Sequence, residues 1–323
     1  MIRNIYIYKA QGVDPYHNIA TEKYLLEKGQ PSSCILYLWQ NAHTVVIGRN
    51  QNAWAECRTS QLEQEGGHLA RRLSGGGAVY HDLGNLNFTF LMDEADYDVD
   101  KQLSVIQTAC ATLGIQAVKS GRNDLLAEGC KFSGNAFYHR QGRAYHHGTL
   151  LVDADIEKLG RYLTPPKAKL EAKGVASVRS RVTNLKSLCP ALTCETLADA
   201  LVDAFGKVYG LVPQALTLEE AAQGQIREDE KTLSTWQWLY GRQLPFTFSC
   251  EEKFDWGHIR LQLQVESGTI LHAEVYSDAM DWLLPERIAT ALTGCRFVAS
   301  DLEKVLSGDP VHTDILSLLK KNI

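Results

Sequence analysis

Three consecutive glycines beside two arginines form the most restrictive segment of this chain. Residues 71–77 read RRLSGGG, and apolar stretches with the composition of strands lie on both sides. Glycine reaches backbone conformations closed to other residues and lets a ligand approach bare amide groups. Arginine adds charge-assisted hydrogen bonds to carboxylate or phosphate. A tight hairpin requires only one or two such glycines, so the third favours an anion-binding loop over a turn with solvated arginines.

Length, cysteine spacing and charge narrow the class of protein. A chain of 323 residues exceeds the usual size of one core, which predicts two domains. The sequence has no run of eighteen apolar residues and no secretory signal, so we expect a cytoplasmic globular protein. Its eight cysteines lack zinc-type or C-x-x-C spacing, and we interpret them as free thiols. The net charge of −5 argues against a nucleic-acid partner, whereas six cations against one glutamate in residues 167–186 suit a phosphate-bearing small molecule or an acidic protein.

Strand patterns occur in runs with helices between the runs, which predicts an α+β architecture. Asp14 and Pro15 form a helix start, and we expect a helix to Lys28, with others at 100–113, 155–162 and 194–209. The glycine loop should join strands at 68–72 and 78–80, and a hairpin should turn at 140–142. Strands at 253–256, 259–265 and 270–276, followed by helices near 285–292, 299–306 and 312–320, form a second unit. We therefore predict a catalytic domain at 1–244 and an accessory domain at 250–323.

Four more segments carry polar residues of the kind found in sites. Asp124 begins a strand, where its carboxylate suits either magnesium or a plain Asx turn. Lys131 stands among small residues, and either contacts a ligand or is an ordinary surface lysine. His146 and His147 point to opposite faces of one strand and so cannot easily chelate one metal; we favour structural hydrogen bonds for both over a catalytic role. Residues 173–184 either fold over a nucleotide or form a solvated loop. P-loop, dinucleotide and nucleophile-elbow motifs are absent from the sequence.

These residues lie in five segments of the sequence: 71–82 (RRLSGGGAVYHD), 121–124 (GRND), 131–136 (KFSGNA), 146–151 (HHGTLL) and 177–184 (SVRSRVTN). In this order and spacing they resemble the motifs of the lipoate–protein ligase A family. The likeness extends from 14–18 (DPYHN) to 254–257 (FDWG), and so covers essentially the whole chain. It implies a mixed-sheet domain of the biotin/lipoate-ligase type with a smaller C-terminal α+β accessory domain.

The resemblance implies an ATP-dependent reaction in two steps, with Mg²⁺ as the metal. Lipoate or octanoate is activated to the acyl-AMP with release of pyrophosphate. The acyl group then passes to a lysine of a lipoyl domain, in 2-oxoacid dehydrogenase E2 subunits or in the glycine-cleavage H protein. We expect a monomer that acts on these partners, without nucleic acid or membrane. An acyl-adenylate forms through developing negative charge, which fixed N–H groups, lysine and a metal stabilise.

The resemblance also implies the roles of individual residues. Lys131 is the implied catalytic residue, in contact with the carboxyl and phosphate groups that react, and Asp124 is the implied metal ligand. The implied lipoate-binding residues are Arg71, Ser74, Gly75, Gly76, Gly77, His81, Ser133, Gly134, Ala136 and His147. The implied ATP- and adenylate-binding residues are Arg71, Val79, Asn85, Asn123, Asp124, Lys131, Thr149, Val178, Arg179, Arg181 and Val182.

Three other functions compete with this interpretation. An octanoyl or lipoyl transferase of the same fold would use a cysteine acyl-enzyme, and Cys130 is the one cysteine within the central motifs. It directly precedes Lys131 and should face the other side of the strand. A non-catalytic effector-binding protein would not require Lys131 together with an intact glycine loop. A biotin ligase carries a different glycine–arginine loop. ATP dependence separates the ligase from the transferase.

Overall fold

A mixed sheet of eight strands forms the central layer of the structure. The computed structural model describes residues 1–49, 51–121, 124–163, 182–240, 246–277, 279, 281 and 283–323, with the main chain only for Ala55 and Phe246. Residues 1–240 form the first part of the chain. Its described strands are β1 Asn4–Lys9, β2 Ser33–Trp39, β3 Thr44–Ile47, β4 His68–Arg71, β5 Val79–His81, β6 Asn85–Asp93, β7 Ala117–Ser120, β8 Asp124–Ala127, β9 Cys130–Arg140, β10 Arg143–Leu151 and β11 Pro213–Ala215. The large sheet has the order β11-β1-β2-β6-β10-β9-β8-β7.

Helices cover the large sheet on both faces. The described helices that precede the C-terminal unit are α1 Pro15–Lys28, α2 Ala53–Glu56, α3 Thr59–Gln64, α4 Val99–Thr112, α5 Ile156–Tyr162, α6 Cys194–Tyr209, α7 Glu220–Leu233 and α8 Trp236–Leu239. Helix α1 lies against β2, β6 and β10, while α6 packs on β1, β2 and β6. Because both faces are covered, β2 is buried at every position and β6 at all but its last. Such strands form nearly continuous apolar runs.

Local signals set the ends of the helices as predicted. The Asp14 carboxylate accepts from the amides of Tyr16 and His17 at 2.8 and 2.9 Å, and Pro15 occupies the first helical position. Helix α6 begins with a capping box at Thr193 and ends at Gly210, which has φ 66°. These contacts satisfy end groups that the helix itself leaves unpaired. The predicted helix from Pro15 to Lys28 and the helix 194–209 are confirmed.

A small second sheet holds the glycine loop. Strands β4 and β5 both pair with β3, parallel and antiparallel respectively, and the loop joins them as predicted. The Arg49 amide donates to the Ser74 carbonyl at 2.9 Å, and Gly76 has φ 92°. A Cβ atom added to Gly48 would lie 2.3 Å from the Gly76 carbonyl oxygen. The loop therefore rests directly on the backbone that follows β3.

The C-terminal unit is a three-stranded meander with helices. Strands β12 Phe246–Phe254, β13 Gly257–Glu266 and β14 Thr269–Ser277 pair antiparallel, and helices α9 Leu284–Leu292, α10 Ala299–Val305 and α11 Pro310–Asn322 follow. The predicted strand at 253–256 is confirmed for Lys253 and Phe254, which end β12, and is wrong for Asp255 and Trp256, which form the turn between β12 and β13. The alternation of Phe254 and Trp256 resembled a strand although it marks a hairpin end. The domain boundaries 1–244 and 250–323 stay a prediction.

The C-terminal unit packs on the glycine-loop side of the first part. The ring of Phe297 lies 5.3 Å from that of Trp54, and the Arg296 guanidinium lies 4.7 Å from the ring of Trp236. The Thr59 hydroxyl donates to the main-chain oxygen of Ile323 at 3.2 Å. All eight cysteines are free thiols, as predicted. Within the part of the chain that the structure describes, no helix is long and apolar enough to span a bilayer.

Replacing Asp14 tests the start of helix α1. We expect Asp14→Ala to lower the free energy of unfolding by about 1 kcal/mol, because two amides lose their acceptor. Asp14→Asn keeps an acceptor oxygen and should cost at most a few tenths of that value. Urea denaturation of the three proteins measures the difference. Equal losses in both variants would contradict the capping role.

Candidate active site

Lys131 and Asp124 meet on neighbouring strands at one edge of the large sheet. The Lys131 Nζ atom lies 2.6 Å from Asp124 Oδ1, and the two side chains are 36% and 30% exposed. A register shift between Leu125 and Leu126 places Leu126 opposite Lys131. The irregularity lies directly beside the pair, where bulges often re-aim side chains. The structure thus brings together a cation and a carboxylate that both remain accessible to a ligand.

Gly134 leaves room for the end of the Lys131 side chain. A Cβ atom added to Gly134 would lie 3.2 Å from both Cε and Nζ of Lys131. The Gly134 amide donates to the Thr149 hydroxyl at 3.3 Å, which fixes the strand against β10. Lys131, Gly134 and Thr149 therefore form one cluster. The predicted site residues at this edge lie together in the structure.

The chain returns to Lys131 after the basic segment. Val182 forms a parallel bridge with Lys131, and the Thr183 amide donates to the Lys131 carbonyl at 2.9 Å. The Asn184 side chain pairs with both main-chain groups of Ala154, at 3.0 and 2.8 Å. The C-terminal end of the basic segment 167–186 is thereby held beside Lys131. The predicted nucleotide residues Asn123, Val178, Arg179 and Arg181 lie outside the described residues.

Arg71 and Arg72 are buried within the structure. Arg71 is 1% exposed, and its guanidinium donates to five carbonyl oxygens: those of Gly48, Arg49, Gln51, Trp238 and Leu239. Arg72 donates to the carbonyls of Gly75 and Gly77, both at 2.7 Å. Burial lowers the pKa of Arg72 to about 10, so it stays charged at neutral pH. Arg72 thus holds the glycine loop directly, whereas Arg71 holds the backbone that follows β3 and helix α8; contact of Arg71 with a substrate stays a prediction.

The three glycines themselves face outward with free amide groups. Gly75, Gly76 and Gly77 are exposed. Among the described residues, no atom accepts a hydrogen bond from any of their three amides. The position of a Cβ on Gly76 is 3.8 Å from the Ala136 Cβ, which places the loop beside β9. Unpaired amides above a buried guanidinium form a site of positive potential suited to an anion.

Beneath the loop, Ser74 and His147 belong to a buried polar cluster. The Ser74 hydroxyl lies 2.8 Å from His147 Nε2, and His147 Nδ1 lies 2.7 Å from Glu22 Oε1. Glu22 is fully buried and was not identified from the sequence. It follows Asn18 and Ile19 at helical spacing on the buried face of α1. A carboxylate on an apolar helix face was the signal that could have identified it.

His81 is buried at the other side of this cluster. Its Nδ1 lies 3.2 Å from Asn41 Nδ2, an amide donor, so the ring proton belongs on Nε2. Burial lowers the pKa of His81 to about 3, and Nε2 has no partner among the described residues. The buried Asn85 donates to Asn87 Oδ1 at 3.0 Å, while its own Oδ1 lacks a partner in the same part of the chain. Both predicted residues thus present an unused polar atom.

His146 faces the opposite side of β10 from His147, as predicted. Its ring nitrogens lie 2.9 Å from Gln102 Oε1 and from Asn135 Oδ1. Burial lowers the pKa of His146 to about 3. His146 therefore has the structural role expected for it.

Two further predicted site residues are at least partly buried. Ser133 is buried in β9, and Val79 lies half-buried in β5.

The described residues offer few side chains that could bind a metal ion together. The described residues contain no group of three or more His, Cys, Asp or Glu side chains placed to hold an ion. At the candidate site Asp124 offers an accessible carboxylate. Magnesium is commonly held by one or two protein carboxylates, with water and substrate phosphates as the other ligands. Asp124 fits that pattern as a single protein ligand.

The fold and this site belong to a known class of protein. Residues 14–206 match the lipoyl protein ligase A/B catalytic domain, and residues 243–320 match the bacterial lipoate protein ligase C-terminus. The first match alone covers more than half of the chain, which therefore belongs to the lipoyl protein ligase family. The family resemblance, the fold class and the ligase activity that it implied are confirmed.

Individual relatives agree with the family. A lipoate-protein ligase A of Psychrobacter cryohalolentis is 41% identical over 305 residues, covering 92% of this chain and 90% of that protein. A bipartite lipoate protein ligase of Thermoplasma acidophilum, studied with its E2 lipoyl domain, is 27% identical with a TM-score of 0.66, covering 74% of this chain and 96% of its own. A lipoate-protein ligase A bound with ATP is 25% identical with a TM-score of 0.65, covering 74% and 98%.

The buried histidines predict an acid-sensitive fold. His81 and His146 have pKa values of about 3 in the folded protein, against 6.5 for an ordinary histidine. Between these pH values the unfolded chain therefore binds two protons that the folded chain does not bind. Their stabilising contribution is full above pH 6.5 and falls as the pH drops toward 3. Between pH 7 and pH 5 each should cost about 2 kcal/mol of unfolding free energy.

Urea denaturation at several pH values measures this effect. His146→Gln should lose about half of the pH dependence, whereas replacing the exposed His272 by glutamine should leave it in place. An unchanged pH dependence in His146→Gln would show that other groups cause the loss of stability.

Proposed function

We propose that this chain activates lipoate with ATP and transfers the lipoyl group to a lysine of an acceptor lipoyl domain. The observation that carries the proposal is the free-amide glycine loop, which lies against the strand that presents Lys131. Both reacting groups of the first step, a carboxylate and a phosphate, are anions. The names of the relatives, which specify lipoate and in one case bound ATP, support the same substrates.

Lys131 supplies a mobile positive charge where the two anions meet. In the free protein its Nζ is neutralised by Asp124, at 2.6 Å. A flexible ammonium group is able to leave that partner and follow charge from the attacking carboxylate to the phosphate oxygens. The exposed glycine amides hold one anion in place, so the reacting atoms start aligned. Preorganised donors of this kind are often the largest contribution to catalysis.

Asp124 would hold Mg²⁺ together with phosphate oxygens of ATP. The metal neutralises phosphate charge when bound. With its carboxylate engaged in that way, Asp124 would no longer neutralise Lys131, whose ammonium group would be free to face the substrate carboxylate. The chain returning at Val182 lies directly beside Lys131. A segment held there would cover the acyl-adenylate and exclude water, which otherwise hydrolyses a mixed anhydride.

We infer that the acceptor is a lipoyl domain of an E2 subunit or an H protein. The T. acidophilum ligase, studied with its E2 lipoyl domain, supports that class of partner. Cytoplasmic location and a monomeric state belong to the same proposal. The thiol-transferase alternative has less support, because Cys130 is the strand neighbour of Lys131 and so faces the other side of β9.

Pyrophosphate release tests the first step. With lipoate and ATP the protein should release pyrophosphate, and an apo lipoyl domain should gain the lipoyl mass. Lys131→Ala should lower the rate about 100- to 1,000-fold, since one preorganised charge is lost. Lys119→Ala is the matched control, because Lys119 lies on β7 of the same sheet and its ammonium group also pairs with a carboxylate, that of Asp100 in helix α4.

The outcomes separate the two enzyme classes. Transfer from an acyl carrier without ATP, abolished by Cys130→Ser and retained by Lys131→Ala, would assign the chain to the thiol transferases instead. ATP-dependent lipoylation lost only in Lys131→Ala would establish the ligase.

Gly134→Ala tests the space around the lysine. The new methyl group would stand 3.2 Å from Lys131 Nζ, which can move aside. We therefore expect nearly unchanged stability and a loss of about tenfold in the adenylation rate, as for other displaced catalytic groups. Gly160→Ala, in helix α5 with no atom near the new methyl group, is the control for folding. An unchanged adenylation rate in Gly134→Ala would show that Lys131 works from another position.

A further inference from the structure

A chain of buried hydrogen bonds crosses the central sheet and ends at the glycine loop. Trp39 on β2 donates through Nε1 to the Thr89 hydroxyl on β6, at 3.0 Å. The Thr89 hydroxyl donates to Glu22 Oε1 on α1, at 2.7 Å. His147 on β10 stands directly opposite Thr89 in the sheet and reaches the same oxygen at 2.7 Å. Residues of β6 and β10 therefore meet at a single carboxylate oxygen of α1, and β2 joins them through Thr89.

The donor-only indole of Trp39 fixes the direction of the hydrogen bonds as far as His147 Nδ1. Trp39 Nε1 can only donate, so Thr89 accepts from it and donates to Glu22. Glu22 Oε1 is then an acceptor, and His147 must carry its proton on Nδ1. In the neutral imidazole the other nitrogen, Nε2, is an acceptor, and the Ser74 hydroxyl at 2.8 Å donates to it.

The far end of the chain is closed by Arg72. Its Nε donates to Ser74 Oγ at 3.1 Å, and its Nη2 holds the carbonyls of Gly75 and Gly77. Ser74 is fully buried, although the glycines directly after it are exposed. The first residue of the loop is thus anchored from two sides, by a guanidinium and by an imidazole.

These distances are also those of a serine–histidine–carboxylate triad, but the surroundings favour positioning over nucleophilic attack. A serine nucleophile must be reachable by a carbonyl carbon and rich in electron density. Ser74 has no exposed surface, and the Arg72 cation donates a hydrogen bond into its oxygen. Both features oppose attack by the hydroxyl, while both hold it still.

We propose that Glu22 is a positioning residue: through His147 it fixes Ser74 and thereby holds the glycine loop in its anion-binding conformation. The inference rests on the proposed function for its kinetic consequences only. Outer partners that orient a histidine typically change ligand affinity or activity 10- to 100-fold when removed, as known from metal sites. The loop binds the lipoate side of the reaction, so the effect should fall on lipoate and spare ATP.

Steady-state kinetics and hydrogen exchange test the assignment. Glu22→Leu should raise KM for lipoate about 10- to 100-fold and change KM for ATP and kcat less than about threefold. In the free protein, amide exchange in the peptide covering 72–80 should accelerate. Glu22→Gln keeps an acceptor for His147 and should restore both properties nearly to those of the unsubstituted protein.

Thr89→Val is the matched control at the same carboxylate. It removes the other donor to Glu22 and leaves the His147 contact in place, so it should alter neither KM for lipoate nor exchange in 72–80. If Glu22→Leu fails to fold, Glu22→Asp replaces it in the test. The aspartate side chain is one methylene group shorter, so its oxygen lies farther from His147. KM for lipoate and the amide exchange rate in 72–80 should then rise to an intermediate extent. Unchanged lipoate KM and unchanged exchange in the folded variant would overturn the proposal.

Exchange in the free protein requires no substrate, so this test is independent of the proposed function. If the unsubstituted protein released no pyrophosphate with lipoate and ATP, the ligase proposal would fail. Faster exchange in Glu22→Leu, with normal exchange in Thr89→Val, would still establish the positioning role.

Discussion

Two buried guanidinium groups support the glycine loop and the backbone around it. Arg71 and Arg72 lie side by side in the core, and their described hydrogen bonds go to main-chain carbonyls and one hydroxyl rather than to carboxylates. A buried cation is costly unless each of its donors is satisfied. The surrounding backbone is therefore constrained to present its oxygens to these groups. The glycine loop, the backbone after β3 and helix α8 keep their positions because the arginines require them.

The same arrangement joins the site to the C-terminal half of the chain. Arg71 donates to the carbonyls of Trp238 and Leu239, and the Trp238 indole donates back to the Arg71 carbonyl at 2.9 Å. Trp236 of the same short helix stacks with Arg296 of the C-terminal unit. A displacement of the glycine loop would break contacts with the residues that lead into that unit. The positions of the two parts of the chain are thus coupled through ordinary hydrogen bonds and packing.

The Lys131–Asp124 pair differs from the arginines because both of its side chains are accessible. Lys131 and Asp124 are each about one third exposed and neutralise one another in the free protein. A surface pair of this kind contributes little to stability, so it can separate at small cost when anionic ligands arrive. Buried charges hold the loop and the backbone around it, whereas accessible charges that can change partners lie at the edge of the large sheet. This division suits a reaction that requires alignment and charge stabilisation rather than an acid–base pair.

The sequence by itself determined the parts of this protein that depend on neighbouring residues. The cap at Asp14, the glycine loop between two strands, the opposed histidines at 146 and 147 and the exposure of Lys131 all follow from local rules of geometry. Only the tertiary structure decided that the arginines are buried, that Glu22 reaches Ser74 through His147, and that Trp39 and Thr89 join the same chain of hydrogen bonds. Their contacts join residues separated by 50 to 125 positions along the chain. Such distant pairs become neighbours through strand order and register, which local sequence patterns do not encode.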